Sequence, residues 1–186
     1  MKTVGSTFVI AIFFLFFSNY TQAQTETQAE KLMTALKLKD LKNALILVQN
    51  VDSVNYMDKD NYTLLMSASV LDDTDVVKIL LKKGSDLDWQ AKNGVTALML
   101  AAHEGCTDVV KILLESGSKY DLQANNGGTA LMKASQEGHL EIVKLLLEKG
   151  ANPKIKSKKG KTAYDYANDY KKNKKIRALL LKYMKK

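Results

Sequence analysis

The chain has 186 residues, 46% of them hydrophobic and 26% charged, and a formal net charge of +8. This composition fits one soluble domain with a substantial core. The single cysteine, Cys106, excludes a disulfide framework, and two histidines with one cysteine argue against a zinc site of nitrogen and sulfur ligands. We therefore expect neither a metal nor a cofactor.

The first 23 residues are predicted to be a secretory signal peptide. Lys2 precedes an apolar run from Phe8 to Phe17, and Thr21 and Ala23 form a small-residue cleavage site before Gln24. Ten apolar residues are too few to cross a bilayer as a helix. An uncleaved anchor or a buried N-terminal helix is the alternative. Export without disulfides suits a bacterial periplasm or outer surface at least as well as a eukaryotic secretory route. We expect a periplasmic or secreted protein with no transmembrane segment in its mature part.

The mature chain repeats itself every 33 residues. Three copies align without a gap, and each contains a threonine, an apolar run and a closing glycine. The threonine and closing glycine of the three copies are Thr63 and Gly84, Thr96 and Gly117, and Thr129 and Gly150. Such a period is typical of stacked-unit architectures, whose terminal copies are degenerate because one face meets water. We divide the mature chain into an N-terminal capping unit 1 (24–57), repeats forming units 2 (58–90), 3 (91–123) and 4 (124–156), and a basic C-terminal capping unit 5 (157–186).

Each unit is predicted to be a pair of short helices. The threonine before each apolar run is placed to accept the free N–H groups of the first helix. That helix ends near Gly105 and Gly138, because glycine tolerates a left-handed turn. Unit 2 has Asn61 and Asp72 where its neighbours have glycine, and these residue types are suitable substitutes in that conformation. Two short helices cannot bury their apolar faces alone, so the core must form between stacked units.

The stretches NGVTALMLAAHEGCTDVVKILLESGS and GGTALMKASQEGHLEIVKLLLEKGANP resemble ankyrin repeats. The resemblance covers the chain from about Glu26 to Lys186. It implies an all-α fold, an ankyrin-repeat solenoid of about five stacked helix-turn-helix units joined by β-hairpin-like loops. The family's Thr-Pro-Leu-His appears here as TALM or TLLM, so its proline and histidine are missing. The family's aspartate before the turn is kept as Asp58 but replaced by Ala91 and Ala124 in the next two units.

One short segment, His103, Glu104, Gly105 and Cys106, groups residue types that occur in active sites. The 33-residue register keeps no pair of catalytic residue types together in the other units. A cysteine nucleophile needs a base within hydrogen-bond reach and a group that orients that base. This segment supplies no oxyanion site. We interpret Cys106 as a small, partly buried side chain and the chain as a non-enzymatic protein.

The resemblance implies that a partner contacts the hairpin tips and the concave edge of the first helices. Transferred by register, the predicted partner-binding residues are Tyr62, Val70, Leu71, Trp89, Gln90, Lys92, Asn93, Val95, His103, Glu104, Gln123, Asn125, Asn126, Gln136 and Glu137. Trp89 is the most suggestive, because exposed tryptophan is common among interface anchors. Burial of Trp89 under its loop is the alternative that the sequence leaves open.

Positive charge is concentrated at the C-terminal end. Residues 154–186 contain thirteen Lys and Arg against two acids, whereas residues 24–153 contain fourteen against eighteen. We expect no nucleic-acid partner, because the sequence has no motif for base readout and the signal peptide directs the chain away from nucleic acid. We expect a monomer with a protein partner.

Two uses fit this expectation. One is inhibition of, or self-protection against, an exported hydrolase or toxin. The other is a structural adaptor or envelope-binding protein, in which unit 5 contacts an anionic envelope through salt-sensitive electrostatic attraction.

Overall fold

A computed structural model of the protein describes residues 26–167 and 173–185. The predicted signal peptide lies outside the described residues. Within them the chain forms ten α-helices, and an isolated antiparallel bridge joins Met57 to Thr63. The helices are α1 (Gln28–Lys37), α2 (Leu41–Gln49), α3 (Leu64–Ser69), α4 (Thr74–Lys82), α5 (Ala97–Glu104), α6 (Thr107–Glu115), α7 (Ala130–Glu137), α8 (Leu140–Glu148), α9 (Ala163–Tyr166) and α10 (Lys174–Met184). First and second helices of successive units alternate, which confirms the predicted all-α repeat fold.

Threonine begins the first helix of every unit. The hydroxyl of Thr63 accepts the backbone N–H three residues later at 3.2 Å, and those of Thr96 and Thr129 do so at 3.3 Å. Thr27 and Thr162 cap the first helices of the two terminal units in the same way. Each bond satisfies one of the N–H groups that a helix start leaves unpaired. The helix starts predicted from threonine in units 2 to 5 are confirmed.

The turn between the two helices of a unit is left-handed. Asp72 has a φ of 56°, and Gly105 and Gly138 have φ values of 84° and 87° at the equivalent positions. Asn61 has a φ of 61°, so both predicted glycine substitutes of unit 2 are confirmed. Lys39 occupies the equivalent turn of unit 1 with a φ of 58°, a conformation that a lysine rarely adopts.

The core lies between units rather than within them. Ala68, Ala101 and Ala134 occupy equivalent positions on the first helices, Ala167 occupies the equivalent position at the C-cap of α9, and all four are completely buried. Their small side chains let successive first helices pack closely. Leu80, Leu113 and Leu146 fill the equivalent position on the second helices and are also completely buried. Burying one such leucine stabilises the fold by about 1.5 to 3 kcal/mol, so the stacked interfaces dominate the stability.

Methionine occupies the position of the histidine in the Thr-Pro-Leu-His motif of ankyrin repeats, and these methionines form a row along the array. Met33, Met66, Met99 and Met132 are equivalent and buried. The Sδ atom of Met66 accepts the backbone N–H of Thr63 at 3.5 Å. The thioether of unit 2 therefore makes a bond back to the threonine in place of the missing imidazole.

The loops that join the units are hairpins, and neighbouring hairpins are bonded to each other. Within them, a backbone N–H donates to the carbonyl four residues later, from 58 to 62, 91 to 95, 124 to 128 and 157 to 161. Across the tips, the backbone N–H of Lys92, Asn125 and Lys158 donates to the preceding tip at 3.3, 3.0 and 2.9 Å. The tips therefore form one hydrogen-bonded edge, which we call the tip ladder.

None of the helices in residues 26–167 and 173–185 has the length and apolar character needed to cross a membrane.

Candidate functional site

An uncovered hollow of about 180 Å³ lies on the first-helix side of units 1 to 3. Its lining includes Lys37, Lys39, Tyr62, Val70, Leu71 and Leu100. Tyr62, Leu71 and Leu100 are half-buried and pack against the core beneath them, and Val70 is half-buried. We call this feature the hollow. It brings together the predicted residues Tyr62, Val70 and Leu71 from the end of one hairpin and the end of α3.

A wider groove of about 430 Å³ adjoins the hollow on the side of unit 1, and Lys37 lines both. Lys37 Nζ donates to the carboxylate of Asp58 at 2.8 Å. The same carboxylate accepts the backbone N–H groups of Asp60 and Tyr62 at 2.9 Å. Burial raises the pKa of Asp58, but these hydrogen bonds and the charge of Lys37 outweigh it and hold the pKa below its ordinary value. Asp58 thus fixes both the hairpin and the lysine beside the hollow.

His103 lies between two glutamates at the end of α5. Its Nδ1 is 3.6 Å from a carboxylate oxygen of Glu137, and its Nε2 is 3.9 Å from Glu104. Both distances are too long for hydrogen bonds. Nε2 of His139 is 3.0 Å from the backbone carbonyl oxygen of His103, which ties unit 4 to unit 3.

Cys106 is buried at the start of α6. Burial, followed by the negative charge of Asp72, raises the pKa of its thiol to about 11. The thiol is therefore protonated at neutral pH, whereas a cysteine nucleophile acts as the thiolate. Among the described residues, no three His, Cys, Asp or Glu side chains are grouped so that they could hold a metal ion.

A family model described as Ankyrin repeats (3 copies) matches residues 32–124 and 117–186. The chain belongs to the ankyrin repeat family. Ankyrin repeats mediate protein–protein binding, and proteins built from them are generally non-enzymatic binding modules. No curated protein matches the chain in a sequence comparison.

Two predicted polar residues of the ankyrin hairpins are used inside the array. The side-chain amide of Gln90 donates to the carbonyls of Gly94, in its own hairpin, and Gln123, in the next. Gln123 repeats this arrangement 33 residues later with Gly127 and Lys156. The two amide NH₂ groups therefore hold adjacent hairpins in register.

The remaining predicted tip residues also bond to their neighbours. Asn125 Nδ2 donates to the Lys92 carbonyl at 2.9 Å, Lys92 Nζ donates to the Lys59 carbonyl, and Asn93 Nδ2 donates to the Tyr62 hydroxyl at 3.0 Å. The Oδ1 atoms of Asn93 and Asn126 accept the backbone N–H groups of Val95 and Gly128. These side chains already stabilise the tip ladder. A partner that binds at the tips would therefore have to contact the atoms of these side chains that face away from the array.

Trp89 is half-buried and packs against the core. Its indole N–H donates to the carbonyl of Asn61 at 3.0 Å. Leu122 and Ile155 occupy the equivalent positions of the following units and are half-buried too. Trp89 is therefore part of an apolar row beneath the hairpins and is only partly covered.

The sequence reasoning missed Leu100. Leu100 lines the hollow and is half-buried. From the sequence, an apolar residue in a helix would be assigned to the buried core. A signal was present in the register, because Thr34, Ser67 and Lys133 are the equivalent residues of the other units and all three are polar. That row lies at the boundary of the core. The adjacent row contains the predicted residues Val70, His103 and Gln136, all of which are half-buried.

Unit 5 exposes a set of lysines. Lys158, Lys159, Lys174, Lys175 and Lys182 are exposed, and none of them forms an ion pair within residues 26–167 and 173–185. The carboxylate of Asp165 accepts the N–H and the hydroxyl of Thr162 at 2.8 and 2.7 Å, so it serves the helix start instead. The Tyr164 hydroxyl accepts from Arg177 at 2.6 Å, which gives this tyrosine a role in packing the cap.

Proposed function

We propose that this ankyrin-repeat protein is exported, is not an enzyme, and inhibits or neutralises an exported hydrolase or toxin by binding it in the cell envelope. The observation that carries the proposal is the hollow, an uncovered apolar depression on a rigid array. The N-terminal signal-peptide pattern supports the location. Two observations support a binding role over catalysis. The buried thiol of Cys106 is protonated, and His103 forms no hydrogen bond with Glu104 or Glu137.

A capture experiment tests the binding role. The mature chain, Gln24 to Lys186, is immobilised and exposed to an envelope extract beside the variant Leu100→Asp. We expect a protein that the wild type retains and the variant loses, because a charge in the hollow prevents burial of the partner's anchor. Leu45→Asp is the matched control, since Leu45 is an exposed leucine on α2, away from the hollow.

The captured protein is then assayed for hydrolytic or toxic activity with increasing amounts of the mature chain. We expect complete inhibition at a 1:1 ratio. A captured protein whose activity is unchanged at saturation contradicts the inhibitory role and leaves only binding. Export is tested by expressing the full chain and identifying the N-terminal residue of the protein in the envelope fraction by mass spectrometry. If the signal peptide is removed as proposed, that residue is Gln24.

The second candidate is an envelope-binding adaptor, and the observation that favours it is the set of exposed lysines in unit 5 without ion-pair partners among the described residues. Its test is sedimentation with phosphatidylglycerol vesicles at increasing salt. Binding that is lost at 0.5 M salt and after Lys174→Glu with Lys175→Glu supports this candidate, because exposed charges are screened at that ionic strength. Binding unchanged by the double variant contradicts it.

A further inference from the structure

The hollow has oppositely charged edges, and this asymmetry identifies the kind of segment that fits it. Building on the function proposed above, we propose that the hollow binds a partner segment with three features in order: an acidic group at unit 1, one large apolar side chain in the hollow, and a basic group at units 3 and 4.

The edge of the hollow at unit 1 is cationic. Lys37 and Lys39 both line it. Lys37 is held by Asp58 at 2.8 Å, which partly neutralises it. Lys39 is exposed and forms no ion pair within the part of the chain that the structure describes. Its left-handed backbone, with a φ of 58°, belongs to the turn between α1 and α2, which places the base of its side chain beside the hollow.

The opposite edge, at units 3 and 4, carries two glutamates and one lysine, Lys133, which occupies the position of Leu100 in unit 4. Leu100 forms the wall of the hollow on α5, and Glu104 lies one helical turn beyond it, where residues four apart are neighbours on a helix surface. Glu137 of unit 4 lies on the other side of His103, with a carboxylate oxygen 3.6 Å from the imidazole Nδ1. Two carboxylates therefore flank one imidazole and outnumber the single lysine, which leaves this edge with a formal negative charge.

The size of the hollow favours a side chain over a small molecule. Its volume of about 180 Å³ is well below the 300 to 1,000 Å³ typical of small-molecule sites. Packed helices lie roughly 8 to 10 Å apart, so the charged edges of units 1 and 3 are separated by about 20 Å. A segment of about 13 helical residues spans that distance. An apolar anchor with a complementary charge on each side would bind in one direction, because the reversed segment places like charges together.

A peptide selection tests the proposal. A displayed library of random 16-residue peptides is selected on the immobilised mature chain. We expect enrichment of peptides in which an apolar residue separates an acidic from a basic residue. One enriched peptide is then synthesised with its charges as selected and with acidic and basic residues exchanged, and we expect the selected order to bind at least tenfold more tightly.

The decisive variant reverses both edges of the hollow: Lys39→Glu with Glu104→Lys and Glu137→Lys. We expect it to prefer the exchanged peptide. The matched control, Lys78→Glu with Glu115→Lys and Glu148→Lys, makes the same changes at exposed positions on the second helices and should keep the original preference. Leu100→Asp should abolish binding of both peptides; Val70→Lys replaces it if circular dichroism shows that Leu100→Asp is unfolded.

Two outcomes overturn the proposal: no enrichment of the three-feature pattern, or a preference that the edge-reversed variant leaves unchanged. Either result leaves the proposed function standing if the envelope partner is still captured and inhibited through Leu100. Conversely, a peptide preference that reverses as expected, together with no inhibited hydrolase or toxin, refutes the proposed function and retains this inference.

Discussion

Replacing Gly94 with alanine should destabilise the array much more than the same change at Gly117. Both glycines have a positive φ, 75° and 96°. At Gly117 an added Cβ meets nothing within 4 Å, so the cost is the left-handed backbone alone, roughly 1 to 2 kcal/mol. A smaller conformational entropy of the unfolded alanine chain offsets about 0.4 to 1 kcal/mol of that cost. We expect a net loss of about 1 kcal/mol at this position.

At Gly94 the added Cβ lies 2.6 Å from the backbone nitrogen of Asn125, in the next hairpin. Backbone cannot move aside as a flexible side chain can, so the two tips must separate. Separation lengthens the bond from the Asn125 N–H to the Asn93 carbonyl, now 3.0 Å, and a lost bond of this kind costs about 0.5 to 1.5 kcal/mol. The left-handed backbone costs a net of about 1 kcal/mol here as at Gly117, and the steric strain of overpacking adds about 1 to 3 kcal/mol. The expected total loss at Gly94 is therefore about 2.5 to 5.5 kcal/mol.

The measurement is urea unfolding of the mature chain, followed by circular dichroism. Gly84→Ala is a second control, because its added Cβ also meets nothing within 4 Å. Equal losses for Gly94→Ala and the two controls would refute the reasoning, since they would show that the tip ladder contributes nothing to stability.

Three further predictions concern single groups. Thr129→Ala should lower the free energy of unfolding by about 1 kcal/mol in the same urea assay, because the first N–H groups of α7 lose their cap; no change would contradict that role. Cys106 should react with iodoacetamide at pH 8 at least 100-fold more slowly in the folded than in the urea-unfolded chain, since its pKa is raised from 9.0 to about 11; similar rates would show an accessible thiolate. Asp58 has a lowered pKa, so its contribution to stability is present above its unfolded pKa, near 4, and is lost as the pH falls through the folded value. Asp58→Asn should therefore flatten the pH dependence of the urea midpoint below pH 4, and an unchanged acid limb would contradict the bond from Lys37.

The fold was predictable because its signals are local and repeated. A threonine cap needs only the N–H groups of the next three residues, so Thr63 to Thr162 could be assigned without knowing what packs against them. The left-handed positions could be assigned from the 33-residue alignment of the units. Asn61 and Asp72 were identified as left-handed because their equivalents 33 residues on are glycines, and the structure confirms both.

The roles of the candidate site residues could not be predicted in the same way. The amides of Gln90 and Gln123 bond to carbonyls 33 residues away, and a residue type alone does not show whether its amide faces a partner or the next hairpin. Leu100 shows the opposite problem, because its exposure depends on the packing of α5 between α3 and α7. The partner-binding role of the fifteen predicted residues stays a prediction.

The tip ladder also restricts how the length of this protein can change. Its cross-hairpin bonds join residues 32 or 33 positions apart. Duplicating one complete 33-residue block recreates each of these pairings at the new junctions, whereas inserting a few residues at one tip displaces the donors and acceptors of that tip from their partners. The array can therefore be lengthened or shortened only by whole 33-residue blocks. A variant with one extra block should keep the cross-hairpin hydrogen bonds between all of the original units.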